Sequence, residues 1–375
     1  MSSPSAPANR SLFQRFLTVI ERVGNLLPNP STLFAILAIL VVFCSWIFSR
    51  MGVQVTHPAN GQTIAVINLL SIEGLQRMIA YLVPNFVAFP PLGTVLACLV
   101  GIAVAERTGL ITAVLRMIVL AAPARLLAPI VVFGGILSHS GADVGYVLFI
   151  PLGAAIFHAA GRHPMAGLAA AFAGVSGGFS ANIVLGTIDV LLAGLTQAAA
   201  VVVKPGIVVQ PTANWYFLIA ASVLITAVGT WVTEKIIEPR LGAYTGDAPR
   251  EPIVPLAENE KRGLWFTIIA TLVLTGIIVI GVLPQNGWLV DASRPHAELG
   301  ERVLNSYLMR GLIFFIFLYG LVMGLAYGLG AKTVKNDNDV VRGMDQSMAT
   351  MGSYIVMAFF ASQFIAYFNW TNLGT

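Results

Sequence analysis

Apolar and polar positions in this chain segregate into long blocks; the two-residue alternation of a half-buried strand is absent. Predominantly apolar runs occupy roughly 31–49, 86–106, 164–201, 213–233, 263–284, 309–330 and 344–368. Each approaches or exceeds the ~20 residues that cross the hydrocarbon of a bilayer as a helix. Lipid cannot satisfy an open sheet edge, and the alternating pattern of a transmembrane barrel is missing. The pattern therefore predicts an all-α, polytopic membrane protein.

Composition agrees: 57% of residues are hydrophobic and 10% charged, with a mean hydropathy of +0.82. The net charge of +4 does not point to nucleic acid, because the basic residues lie between spans and not in one stripe. They report topology. With Arg10, Arg15 and Arg22 in the cytoplasm, the segments holding Arg107, Arg116, Arg125, Arg162, Lys235, Arg240, Arg250, Lys261, Arg262, Lys332, Lys335 and Arg342 are also inside. That orientation puts about 15 basic residues inside and about 5 outside, as the positive-inside rule requires. Cys44 and Cys98 fall within spans and read as small apolar packers, not a disulfide framework. The charged start is too long for a cleavable signal.

Two places interrupt the apolar pattern. The segment 109–160 leaves a basic turn, reaches Ser138-His139-Ser140-Gly141-Ala142-Asp143, and returns to Arg162 and His163. A re-entrant hairpin with a polar tip fits, and so do two full spans joined by a short outside loop; the hairpin is the reading adopted. The run 164–201 contains Ser176-Gly177-Gly178-Phe179-Ser180-Ala181-Asn182, whose paired glycines and short polar side chains weaken a helix. Polar breaks at membrane depth survive only where protein or a cavity covers them. They offer bare carbonyls to cations and helix N-termini to anions.

The candidate site residues are Ser138, Ser140, Asp143, Ser176, Gly177, Gly178, Ser180, Asn182 and Asp189. Asp189 reads as an intramembrane carboxylate, a functional hypothesis by default; the bland alternative ends the helix earlier and leaves it in a wet connection. Asp143 lines the site or caps the helix beginning near Gly145. The serines and Asn182 suit Na⁺ or a polar solute, with a Na⁺ expected at Ser138, Ser176 and Asn182; singly, each would be a back-bonded helix residue. His139, His158 and His163 lack metal-ligand spacing. His139 could couple protons, and His163 is expected to face water. Trp215, Trp265, Trp288 and Trp370 are expected to anchor span ends at the interface. No Walker A motif and no hydrolase constellation appears, so neither an ATP-driven pump nor an enzyme is expected, and no cofactor beyond a coupling Na⁺ or H⁺.

At several of these places the sequence resembles the AbgT family, the p-aminobenzoyl-glutamate transporters. The resemblance rests on Glu21–Asn25 with Leu27–Pro30, on Gly153–Phe157 with Gly161–Pro164, on Gly167–Asn182 (GLAAAFAGVSGGFSAN) followed by Leu185–Asp189, and on Phe359–Thr375 (FFASQFIAYFNWTNLGT). It implies ion-coupled secondary transport in the bacterial inner membrane, with uptake of p-aminobenzoyl-glutamate or export of sulfonamide-type antimetabolites. It further implies a homodimeric, elevator-type carrier of two inverted repeats, each with a re-entrant hairpin and a broken helix. On that pattern 1–30 is a cytoplasmic segment, 31–233 the first repeat, 234–262 a cytoplasmic linker and 263–375 an incomplete second repeat. Family members carry a second hairpin and a second broken helix, so a partial sequence is expected. The implied partners are an anionic small molecule and the bilayer.

Overall fold

The computed structural model describes residues 28–56, 63–120, 123–140, 145–204, 206–246, 255–291 and 299–374. Nearly all of the expected cytoplasmic N-terminal segment lies outside this set, as does Asp143; of Ser140 only the backbone is described. The chain forms two compact units: Met1–Phe89 with Gly352–Thr375, and Pro90–Met351.

In the first unit, α1 (Pro30–Arg50) starts where Asn29 accepts from the Ser31 N–H at 3.0 Å. A short antiparallel ribbon follows, β1 (Gln54–Thr56) with β2 (Thr63–Ala65). The helix α2 (Ile72–Val87) is capped by Ser71, whose hydroxyl accepts from Gly74 N–H at 3.0 Å. Its Glu73, Arg77 and Pro84 break the apolar block, so the sequence pattern left it as a connection. The last helix of the chain, Gly352–Thr371, packs on α1 and α2. There Gln363 is buried and needs partners. It accepts from Asn85 Nδ2 at 3.0 Å and donates to the Leu82 carbonyl at 2.9 Å.

The second unit runs through α3 (Pro90–Arg107), α4 (Leu110–Leu120), α5 (Leu127–Leu137), α6 (Ile150–Ala159), α7 (Pro164–Phe172), α8 (Thr187–Val203), α9 (Trp215–Val232), α10 (Glu258–Val282), α11 (Leu312–Ala331) and α12 (Asp337–Ala349); Gly352–Thr371 is α13. Three expected boundaries change. The span 86–106 begins at Pro90. The helix of α9 continues through a wide turn, Thr233–Ile237, to Leu241, inside the expected linker. The span 344–368 is two helices, α12 and α13, separated at Thr350–Met351; the charges of α12 had excluded its first half from the apolar block.

Among the described residues, five helical stretches are long and apolar enough to cross a membrane, and α12 with α13 make a sixth if taken as one span. Their outward faces carry apolar side chains that water would not tolerate, such as Ile79 at 80% exposure and Leu272 at 68%. Lipid offers no hydrophobic drive for helix pairing, so close van der Waals fit has to supply it. On α3 and α11 small residues four apart do this: a methyl carbon added at Gly320 would lie 2.6 Å from the Gly101 carbonyl carbon, and one at Gly324 2.5 Å from the Ala105 nitrogen. On α9 the hydroxyls of Ser222, Thr226, Thr230 and Thr233 each donate one turn back, at 2.6–2.8 Å, which makes them tolerable in an apolar helix.

Candidate functional site

The two sequence interruptions meet in the second unit. With the tight turns on either side of it, α5 belongs to a helical stretch over 124–140, and α6 with the wide turn before it to one over 145–159; both fall short of the ~20 residues of a full crossing. Arms of this length favour the re-entrant hairpin over two full spans. The hairpin is narrower than 109–160. Gly109 at φ +88° turns the chain between α3 and the separate helix α4, and an extended Pro123 restarts it before α5. Its arms are fixed by a dry core. Val131, Val132, Phe149, Ile156, Phe157, Ala170 and Val175 are essentially fully buried, and Gly153 on α6 sits so close to α7 that a methyl there would lie 2.8 Å from the Gly167 carbonyl oxygen.

At the tip, Ser138–Ser140 form a tight 3₁₀ turn. Ser138 is completely buried, and its hydroxyl donates to the Gly135 carbonyl at 2.6 Å, the back-bonded state. His139 makes the link that sequence reasoning undervalued. Its Nε2 lies 2.6 Å from the Val175 carbonyl oxygen, and its ring meets Phe179 edge-to-face at 5.2 Å. A carbonyl only accepts, so Nε2 carries a proton. This bond ties the hairpin tip to the break.

The break begins where α7 widens into the turn Ala173–Gly177. Ser176 is half-buried there and Gly177 is exposed with open space around it. Gly178 is required by packing: a methyl would lie 2.6 Å from Ile136 Cγ1 on α5. Ser180 holds a left-handed conformation, φ +65°, which a non-glycine residue adopts only when the surroundings impose it. Asn182 is buried and its Oδ1 accepts from the Val184 N–H at 3.2 Å, an Asx turn that keeps the chain out of helix.

Helix resumes at Thr187, so Asp189 belongs to the first turn of α8, not to the middle of a span. Its Oδ2 accepts from the Gly186 N–H at 2.7 Å. Around Gly186 three segments converge: Asn182 Nδ2, Asp189 Oδ2 and the His139 carbonyl oxygen each lie 3.9 Å from where a Gly186 methyl would stand. An amide donor, a carboxylate and a backbone carbonyl thus lie around Gly186, at the junction of tip and break. Such a set can hold a cation by its oxygens, with a helix N-terminus beside it to favour negative charge.

Three other side chains have roles that the sequence pattern does not show. Trp215, expected as an interface anchor, donates its indole N–H to the Ile183 carbonyl at 2.8 Å and so satisfies the break's backbone. Arg162 grips Glu238 through two hydrogen bonds of 2.6 and 2.8 Å and lies 3.6 Å from Glu234, which fastens the turn between α6 and α7 to the extension of α9. His163, expected in water, caps α7 by accepting from the Met165 N–H at 3.2 Å and stacks edge-on against Tyr244. The signals for these three were a polar residue at a span end or turn with a complementary group far away in sequence, which local pattern does not reveal.

Helices long and apolar enough to cross a membrane, with two polar interruptions bonded to each other in the second unit, are the features of a multi-pass membrane transporter. The chain belongs to the AbgT putative transporter family, whose model matches residues 15–375. It is 38% identical over 374 residues to the p-aminobenzoyl-glutamate transport protein of Escherichia coli (strain K12), covering 100% of this chain and 72% of that relative. Solved structures are similar to it as well, two of them as follows. MtrF of Neisseria gonorrhoeae, described with a class of antimetabolite efflux pumps, matches at a TM-score of 0.88 and 42% identity, over 96% of this chain and 72% of that one. The YdaH transporter of Alcanivorax borkumensis, described as having an unusual topology, matches at 0.84 and 36%, over 92% and 72%.

Proposed function

We propose that this chain acts in cation-coupled transport of p-aminobenzoyl-glutamate or a related aromatic amino-acyl anion across a bacterial inner membrane. The observation that carries the proposal is the convergence of Asn182, Asp189 and the His139 carbonyl at Gly186, where two interrupted membrane segments are bonded to each other. The cation, Na⁺ or H⁺, sits against the Asp189 carboxylate, the His139 carbonyl and the hydroxyls of Ser138 and Ser176, with the Asn182 amide N–H left for the anion. The anion sits near the N-terminus of α8. The hairpin and broken helix move together as part of the core of an elevator-type homodimer built on inverted repeats, with the N-terminus cytoplasmic. The 38% identity to the E. coli relative supports the substrate class.

Efflux of an antimetabolite is a second reading, favoured by the 42% identity to MtrF. Proteoliposomes separate the two. An inward Na⁺ or H⁺ gradient driving accumulation of labelled p-aminobenzoyl-glutamate supports uptake. Gradient-driven expulsion of a labelled sulfonamide, with no accumulation of the glutamate compound, supports efflux. No gradient-dependent flux of either would remove the proposal.

A further inference from the structure

Beside the two breaks lies a cavity of about 750 Å³ whose walls are almost entirely apolar, a size typical of small-molecule sites. It adjoins both interruptions from their apolar side. Leu137 precedes Ser138 at the hairpin tip, and Ile183 and Leu185 lie between Asn182 and Gly186 in the break; all three line it. Trp215, Phe315 and Tyr319 line it as well.

Two of these rings have fixed orientations. Trp215 is held by its 2.8 Å bond to the Ile183 carbonyl, and Tyr319 by a 2.8 Å bond between its hydroxyl and that of Thr275. A wall of locked rings favours a flat, rigid partner, because stacking needs no further ordering of the protein and the partner has little freedom to lose. A flexible acyl chain would lose rotamer freedom without gaining ring contacts.

We propose that this cavity receives the aromatic end of an anionic solute whose charged end sits at Asn182 and the start of α8. The inference rests on the functional proposal above and adds a second subsite to it. The polar junction recognises the carboxylates and the cavity recognises the ring. Trp215 serves both, closing the break with its N–H and lining the cavity.

The test is equilibrium binding of labelled p-aminobenzoyl-glutamate to the purified chain, with N-acetylglutamate and N-octanoylglutamate as competitors. Val114→Trp and Ile316→Trp fill the cavity from α4 and α11, elements that carry neither break. Each should weaken p-aminobenzoyl-glutamate by about tenfold to a hundredfold, the range for losing the burial of one phenyl-sized group. Competition by N-acetylglutamate should not change, and it serves as the control for folding. Equal weakening of both compounds, or of neither, would overturn the second subsite while leaving the functional proposal standing. Competition by N-octanoylglutamate as strong as that of the aromatic compound would overturn the selectivity for a ring. Failure of the unaltered chain to bind any of the three would sink both proposals.

Discussion

Asp189 has two roles that substitution can separate. Its carboxylate accepts from the Gly186 N–H at 2.7 Å, one of the four amide groups that a helix leaves unpaired at its start. Removing such an acceptor costs about 1 kcal/mol, and losing a negative charge beside the helix dipole costs about 0.3–1 kcal/mol more. Asp189→Ala should therefore destabilise by about 1–2 kcal/mol. Asp189→Asn keeps an oxygen in the same place and should cost only the charge–dipole part. Transport should respond differently. A carboxylate about 4 Å from a bound cation contributes about 4 kcal/mol at an effective dielectric constant of 20, which corresponds to about a thousandfold in cation affinity. Asp189→Asn should melt nearly like the wild type yet show no gradient-driven uptake; Asp189→Ala should lose both. Melting followed by tryptophan fluorescence, with uptake measured on the same preparations, reads both quantities. Wild-type uptake by Asp189→Asn would reduce Asp189 to a helix cap and refute the reasoning.

Three further outcomes are expected. His139→Ala leaves the Val175 carbonyl without the partner it has at 2.6 Å and should destabilise by about 1–3 kcal/mol, whereas His139→Gln, which keeps a donor, should recover at least half of that in the same melting assay. Ser180→Gly relieves the left-handed backbone at φ +65° and should stabilise by about 1 kcal/mol; a lower melting temperature would mean that the hydroxyl holds something the backbone geometry does not reveal. Gly324→Leu forces α3 and α11 apart, since even a methyl would stand 2.5 Å from the Ala105 nitrogen. It should abolish monodisperse expression, read by size-exclusion chromatography.

The apolar blocks were legible because hydrocarbon imposes a length and a composition on every crossing, and α1, α10 and α11 lie within a few residues of where the pattern put them. The breaks were legible because Gly177-Gly178 and Asn182 defeat a helix locally. Asp189 reads as a carboxylate within the run 164–201, and the structure puts it in the first turn of α8. Its carboxylate reads as buried within a span until Gly186 is seen to end the break and Asp189 to turn back onto it. The helix α2 was invisible to a hydropathy pattern because Glu73, Arg77 and Pro84 dilute it, although Ser71 with Glu73 already carried an N-terminal signal. The pairing of His139 with Val175, Trp215 with Ile183 and Arg162 with Glu238 spans 32 to 76 residues. Such contacts depend on how the hairpin, break and α9 pack, and no local spacing encodes them.

The account depends on Ser176 and its neighbours lining a space that a solute enters. In a background carrying Cys44→Ala and Cys98→Ala, the rate at which a small polar thiol reagent modifies Ser176→Cys measures this directly. Modification that p-aminobenzoyl-glutamate slows in proportion to its occupancy, in the presence of the coupling cation, is the predicted result. A rate unchanged by saturating solute would contradict the claim that the broken helix forms part of a binding site.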